Sequence, residues 1–253
     1  MRGAVAMLGA ALLGSCGHPA ERQAPADAYR APAAQLSLRA KDGATVYAAR
    51  YGTANPKAVI LLFHQAGSSK EEYSTIAPRL AAAGYEAVAV DARAGGGLFG
   101  TNETARALGH QADYLEARQD LQAAVDWAKT RRLPVIAWGS SYSSSLVFPL
   151  AVESAGVVKA VLAFSPGEYF ADKAFVAGSA LKLSVPAYIT SAPDKDEVAA
   201  ASRIAHAVPR GLAVQYVPRN GVHGSSTLIA AKDPKGAASN WMPVMSFLKR
   251  VAP

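Results

Sequence analysis

Six stretches of the chain are apolar almost without interruption: KAVILLFHQ, EAVAVDA, LPVIAWG, VKAVLAFS, VPAYITSA and LAVQYVP. A strand with one wet face alternates apolar and polar residues, whereas a strand covered on both faces reads as a continuous apolar run. The segments between these runs carry helical spacing. SKEEYSTIAPRLAAAGY opens with Ser69 and Glu72 in a capping-box pattern and stops at Gly84. DYLEARQDLQAAVDWAKT, a segment from about Tyr142, EVAAASRIAHAV and NWMPVMSFLKRV read as further helices. Ahead of them, AQLSLRA and ATVYAARYG flank the turn KDG and predict an antiparallel hairpin. Repeated strand–helix units after an opening hairpin predict an α/β fold with a mostly parallel central sheet and helices on both faces. No solenoid repeat and no second folded domain is visible.

Composition agrees with one sizeable core. The chain has 253 residues, of which 51% are hydrophobic and 18% charged. The net charge of +7 is scattered, with no basic run beyond Arg131-Arg132 and Lys249-Arg250 and no nucleic-acid motif, so it reads as a solvated basic surface. There is one cysteine, Cys16, which excludes an intrachain disulfide and a cysteine metal cluster.

The beginning of the chain, MRGAVAMLGAALLGS, places Arg2 before an apolar run too short to span a bilayer, and LGSC follows, Leu13 to Cys16. That tetrad resembles the lipobox of bacterial lipoproteins, in which cleavage precedes a cysteine that is then lipidated. The resemblance implies a signal peptide over 1–15, lipidation at Cys16 and a place in the cell envelope. By resemblance to enterobacterial lipoprotein sorting, Gly17 after the cysteine implies the outer membrane rather than the inner. Residues 16–33, rich in Ala and Pro and containing His18, read as a flexible tether, and 34–253 as the folded domain.

Ligands of open α/β sheets gather where strands end. After LPVIAW comes Gly139-Ser140-Ser141-Tyr142-Ser143, a G-x-S-x-S pattern within a cluster of five serines. It resembles the G-x-S-x-G nucleophile elbow of the α/β-hydrolase superfamily, whose sharp strand-to-helix turn needs small residues two before and two after the nucleophile. Gly139 and Ser143 are both small, which places the nucleophile at Ser141. The resemblance extends over roughly Ala34 to Val251. It implies an α/β-hydrolase fold and a base in the loop after the last strand, where VQYVPRNGVHGSSTL holds His223. His206 falls within a predicted helix, and His110 ends the Gly-rich loop.

The triad acid is implied after the preceding strand, where SAPDKDEV offers Asp194, Asp196 and Glu197. Asp196 is favoured slightly over Asp194, and the other carboxylate is left to cap the following helix. For the oxyanion hole the resemblance implies the N–H of Tyr142 and that of Gln65 or Ala66 in HQAG, with His64 orienting the loop.

ILLFHQAGSSKEEY and the compact length most resemble the dienelactone hydrolase-like branch. That branch's namesake uses a cysteine nucleophile. Ser141 stands there in this chain, so dienelactone activity does not carry over. The expected function is a serine carboxylesterase acting on small esters, with no metal or organic cofactor and no nucleic-acid partner. A peptidase of the same fold and a non-catalytic envelope binding protein are the alternatives. Pro166 to Lys182 is too short for a large cap, and RAGGGLFGTNETARALGH is the expected mobile wall, with Tyr142, Phe99, Leu98 and Tyr169 as candidates to shape an acyl pocket.

Overall fold

The computed structural model describes Met1 and residues 32–253. Residues 2–31, which hold most of the expected signal peptide and tether with Cys16 and His18, lie outside the described residues. The hairpin is β1 (Ala34–Arg39) and β2 (Thr45–Tyr51), closed by Gly43 at φ 89°. Then follow β3 (Val59–Phe63), α1 (Ile76–Ala82), β4 (Glu86–Val90), α2 (Glu103–Leu108), α3 (Arg118–Lys129), β5 (Val135–Ser140) and α4 (Tyr142–Glu153). The chain continues through β6 (Val158–Phe164), α5 (Phe175–Ala180), β7 (Ala187–Thr190), α6 (Lys195–Ala207), β8 (Ala213–Tyr216) and α7 (Ala237–Val251).

The strands form one eight-stranded sheet in the order β1-β2-β4-β3-β5-β6-β7-β8. β1 pairs with β2 and β2 with β4 antiparallel, and every other neighbour is parallel. All five residues of β3 and of β4 are buried, as are all six of β5. Side chains alternate between the faces because the strand period is two. Val59, Leu61 and Phe63 pack on the face carrying α3, α4, α5 and α6, with Leu121, Leu146, Val176 and Ile204. Ile60 and Leu62 pack on the other, with Leu80 of α1 and Trp241, Val244 and Phe247 of α7. Each fully buried Leu, Ile, Val or Phe contributes about 1.5–3 kcal/mol by leaving water, which is why the apolar runs and the helical stripes choose each other.

The expected helix through SKEEYSTIAPRLAAAGY is divided. Lys70–Tyr73 form a 3₁₀ turn, and α1 starts only at Ile76. Pro78 accounts for the restart: in a helix running on from Lys70 it would lose the bond to the carbonyl of Ser74, whereas in the first turn of a new helix its missing N–H costs nothing. The capping box is half made. Ser69 accepts the N–H of Glu71 at 3.3 Å, but Glu72 turns into the interior.

The Gly-rich segment expected as a mobile wall is pinned at its centre. Asn102 caps α2, accepting the N–H of Ala105 at 2.7 Å, while its amide donates to the carbonyls of Ala92 and Ser68 at 2.9 and 3.1 Å.

Register positions the site. Phe63, Gly139, Ala163, Ile189 and Gln215 lie in one row across β3, β5, β6, β7 and β8. The parallel strands therefore end together, and the loops that follow them emerge side by side at one edge. Between β6 and β7 the only helix is α5, six residues long, so the edge carries no large cap.

Candidate active site

β5 delivers the chain to Ser141, whose backbone is left-handed (φ 58°, ψ −124°), and α4 begins at the next residue. Few non-glycine residues hold such a conformation, and strain of this kind concentrates at functional turns. Gly139 makes the turn sterically feasible. A Cβ there would lie 2.4 Å from the carbonyl oxygen of Ser143 and 2.5 Å from Cα of Ser144. Ser143, standing where the common motif has a second glycine, uses its hydroxyl: it donates to the carbonyl of Phe63 at 2.7 Å and accepts the N–H of Ser140 at 2.9 Å. Ser144 donates to the carbonyl of Ser141 at 2.6 Å, and Ser145 to that of Gly167 at 2.7 Å. Ser140 donates to Glu72 at 2.7 Å, so four of the five serine hydroxyls are committed elsewhere and one, that of Ser141, faces the histidine.

His223 Nε2 lies 2.8 Å from Ser141 Oγ, and His223 Nδ1 lies 2.9 Å from Glu197 Oε1. The carboxylate accepts from Nδ1–H, which leaves Nε2 as the acceptor for the serine proton. Glu197 is itself held by Ser165 Oγ at 2.7 Å and by the N–H of Ala192 at 3.1 Å, both on Oε2. Ser165 also accepts the N–H of Gly224, next to His223, at 2.9 Å. Burial opposes the Glu197 charge. The bonds from His223, Ser165 and Ala192 outweigh that cost and keep its pKa below the ordinary carboxylate value. The Glu197 hydrogen bond, against some desolvation, raises the pKa of His223 above its ordinary value.

This corrects the expected acid: the partner of His223 is neither Asp196 nor Asp194. Helix α6 begins at Lys195, earlier than its apolar spacing suggests, because Asp194 is its N-cap, accepting the N–H groups of Asp196 and Glu197 at 2.9 and 3.3 Å. Asp194 and Asp196 are then exposed, and Glu197, at the third helical position, points towards Ser165 and His223. The signal was present in SAPDKDEV: an aspartate at the cap puts a glutamate three residues on, in the first turn.

The oxyanion donors also separate. The N–H of Gln65 is committed to Glu72 Oε2 at 2.8 Å, which removes Gln65 from that role. Among the described residues the N–H of Ala66 has no acceptor, and that of Tyr142 opens α4, where a helix offers none. The two donors belong to loops joined by the Ser143–Phe63 bond. Both are free to meet an oxyanion formed at a carbonyl on Ser141.

His64 is fully buried and orients its loop. Its Nε2 accepts the N–H of Ala92 at 2.9 Å, so Nδ1 carries the proton and donates to the carbonyl of Gln65 at 2.7 Å. Burial lowers its pKa. His206 bonds back along α6 to Ser202, and His110 is exposed.

Of the candidate pocket residues, the ring of Tyr142 is core, stacked on Tyr114 at 4.6 Å between centroids. Tyr169 lies beside the site: its hydroxyl donates to the carbonyl of Ser165, whose own hydroxyl holds Glu197, at 2.8 Å. Leu98 stands 62% exposed, and Phe99 has the Lys232 ammonium 5.1 Å from its ring centre. Among the described residues no cluster of three His, Cys, Asp or Glu side chains could hold a metal ion.

Solved structures share the fold. An esterase of Pyrococcus furiosus superposes with a TM-score of 0.64 at 18% identity, over 87% of this chain and 90% of that one. A dienelactone hydrolase of Anabaena variabilis gives 0.68 at 16% identity, over 87% and 98%. A thermostable carboxyl esterase of Bacillus coagulans gives 0.66 at 12% identity, over 87% and 99%. No curated protein sequence matches. A sequence model of the Hydrolase_4 family, described as serine aminopeptidase, S33, matches residues 54–209, more than half of the chain and a span that includes Ser141 and Glu197. On that match, and with a serine–histidine–carboxylate relay at the strand ends of an α/β-hydrolase sheet, the chain belongs to the Hydrolase_4 family of serine hydrolases.

Proposed function

We propose that the protein is a carboxylesterase that acts on small esters through an acyl-enzyme on Ser141. The observation that carries this reading is the unbroken relay Glu197–His223–Ser141, at 2.9 and 2.8 Å. In this mechanism Ser141 Oγ attacks the ester carbonyl while His223 Nε2 takes its proton. The N–H groups of Ala66 and Tyr142 receive the developing oxyanion. His223 then protonates the departing alkoxide, and a water deprotonated by His223 releases the acid from Ser141. Glu197 stays ionised and stabilises the imidazolium in both halves of the reaction.

The family description raises a peptidase reading, and an aminopeptidase would need a free carboxylate to anchor the substrate's α-amino group. Three carboxylates of the loops at this edge, Glu168, Glu197 and Glu72, are already used. Glu168, on the loop after β6, accepts the N–H groups of Val176 and Ala177 at 2.9 and 2.8 Å. Glu197 serves the histidine and Glu72 the elbow. This favours neutral esters. The test is a panel on the purified full-length chain: p-nitrophenyl acetate and butyrate against aminoacyl p-nitroanilides. The expected result is ester turnover with kcat/KM at least about a hundredfold above any anilide. Equal or faster anilide cleavage would replace the esterase reading with the peptidase one.

We also propose that the protein works in the cell envelope, tethered through Cys16, with the outer membrane favoured. The support is the LGSC tetrad behind a short apolar run. Among the described residues, no helix is long and apolar enough to cross a membrane. Cys16→Ser is expected to move the protein out of the membrane fraction on cell fractionation. An unchanged distribution would remove the lipid anchor.

A further inference from the structure

Glu72 is fully buried, and the mechanism above does not use it. Its Oε2 accepts the N–H of Gln65 at 2.8 Å, and its Oε1 accepts the hydroxyl of Ser140 at 2.7 Å. The Ser140 oxygen in turn accepts the N–H of Ser225, two residues beyond His223, at 2.9 Å. One carboxylate therefore joins three loops: the one after β3 that carries Ala66, the elbow, and the one that carries His223. Its bond to Gln65 also decides which N–H of the β3 loop stays free.

The charge environment is as specific as the bonding. The neighbouring Lys70 is committed to Asp91 at 2.8 Å and Glu103 at 2.6 Å. The hydrogen bonds of Glu72 come from the Gln65 N–H and the Ser140 hydroxyl, which favour its ionised form, and the positive charge of a protonated His223 favours it less strongly. A buried carboxylate is expensive to ionise, and desolvation pushes this one up to about 7. The other ionisable groups acting with it are the phenols of Tyr73 and Tyr142. His223 is acted on by Glu197 and by Glu72, and both favour its cation.

We propose that Glu72 is a positioning residue of this site, whose carboxylate, through Gln65, Ser140 and Ser225, holds the oxyanion loop, the elbow and the histidine loop together and so places its charge in the network around His223. Its effect on turnover rests on the serine-hydrolase reading. Its effect on the histidine does not.

The experiment uses Glu72→Gln, which keeps the size and a hydrogen-bonding end but removes the charge, with Glu72→Ala beside it. The His223 imidazole is titrated by NMR in the full-length wild type and in Glu72→Gln. The midpoint is expected to fall by about one pH unit in the variant, since a nearby anion is lost. In the wild type the His223 signal should report two ionisations, its own and that of Glu72. With p-nitrophenyl acetate, the acid limb of kcat/KM should move to lower pH in Glu72→Gln. In Glu72→Ala, kcat should fall by about tenfold or more with KM little changed, the pattern of lost transition-state alignment.

Identical His223 titrations in wild type and Glu72→Gln overturn the proposal, as does a single-step wild-type curve should the variants fail to fold. A wild type that turns over no ester removes the esterase reading and leaves the imidazole titration to decide the role of Glu72.

Discussion

Ser141→Ala is expected to lower kcat for p-nitrophenyl acetate by a factor on the order of 10⁴ to 10⁶, leaving the fold and the binding of substrate nearly unchanged. The size of the loss follows from the geometry. His223 Nε2 faces one hydroxyl at 2.8 Å, and the other serines of the cluster spend their hydroxyls on backbone carbonyls or on Glu72. None of them can replace the nucleophile. What remains in the variant is the contribution of the oxyanion donors and of binding. The removed oxygen is small and Ala occupies the same strained turn, so thermal unfolding should shift little. Steady-state kinetics and fluorophosphonate labelling mapped by mass spectrometry check the result: the wild type should carry the label on Ser141 and the variant should carry none. A variant that retains activity within tenfold of wild type would place the nucleophile elsewhere.

The second large effect is expected of Glu197→Gln, a loss in kcat of about 10³- to 10⁴-fold. The carboxylate does two things an amide cannot. It selects the tautomer in which Nδ1 carries the proton and Nε2 is free to accept, and it stabilises the imidazolium formed as Ser141 attacks. The pH profile gives the sign. The neutral imidazole is the base, so rate rises as pH climbs through the pKa of His223, which the Glu197 bond holds above its ordinary value. Removing the negative charge lets that pKa fall, so the residual activity of Glu197→Gln should titrate at lower pH than that of wild type. Asp196→Asn, altering an exposed side chain on the same turn of α6, should stay within about twofold of wild type. If Asp196→Asn were the crippled variant and Glu197→Gln the silent one, the relay described here would be wrong.

These two predictions also mark where local reading of the chain ends. Ser141 was legible because the elbow is a local object: a strand, a sharp turn and a helix within about ten residues, with the small residues at Gly139 and Ser143 required by contacts inside the motif itself. His223 was legible from its place after the last strand. The acid was narrowed to one loop but assigned to the wrong carboxylate. Which of Asp194, Asp196 and Glu197 faces inward depends on the helical phase of α6, and one capping bond at Asp194 sets that phase. A shift of the helix start by a single residue rotates every side chain in the first turn by about 100°.

Glu72 shows the same limit more sharply. Its spacing from Ser69 matches a capping box, a choice a short segment makes with its own backbone. The folded chain offers competing partners, Gln65 on one side and Ser140 on the other, the latter 68 residues away in sequence. Once the parallel strands bring those loops together, the interior position is satisfied at both oxygens, and the capping box that the local pattern favours stays half made.

The division follows from the range of the forces. Burial of apolar runs and the steric demands of a tight turn act over a few residues, so the order of strands and helices, the two-sided sheet and the place of Ser141 at the strained turn can be read directly from the amino acids. Hydrogen bonds between buried polar groups act over about 3 Å but join residues far apart in the chain. The triad acid, the choice of Ala66 over Gln65 and the central place of Glu72 therefore emerge when the register of β3, β5, β6, β7 and β8 brings their loops to one edge.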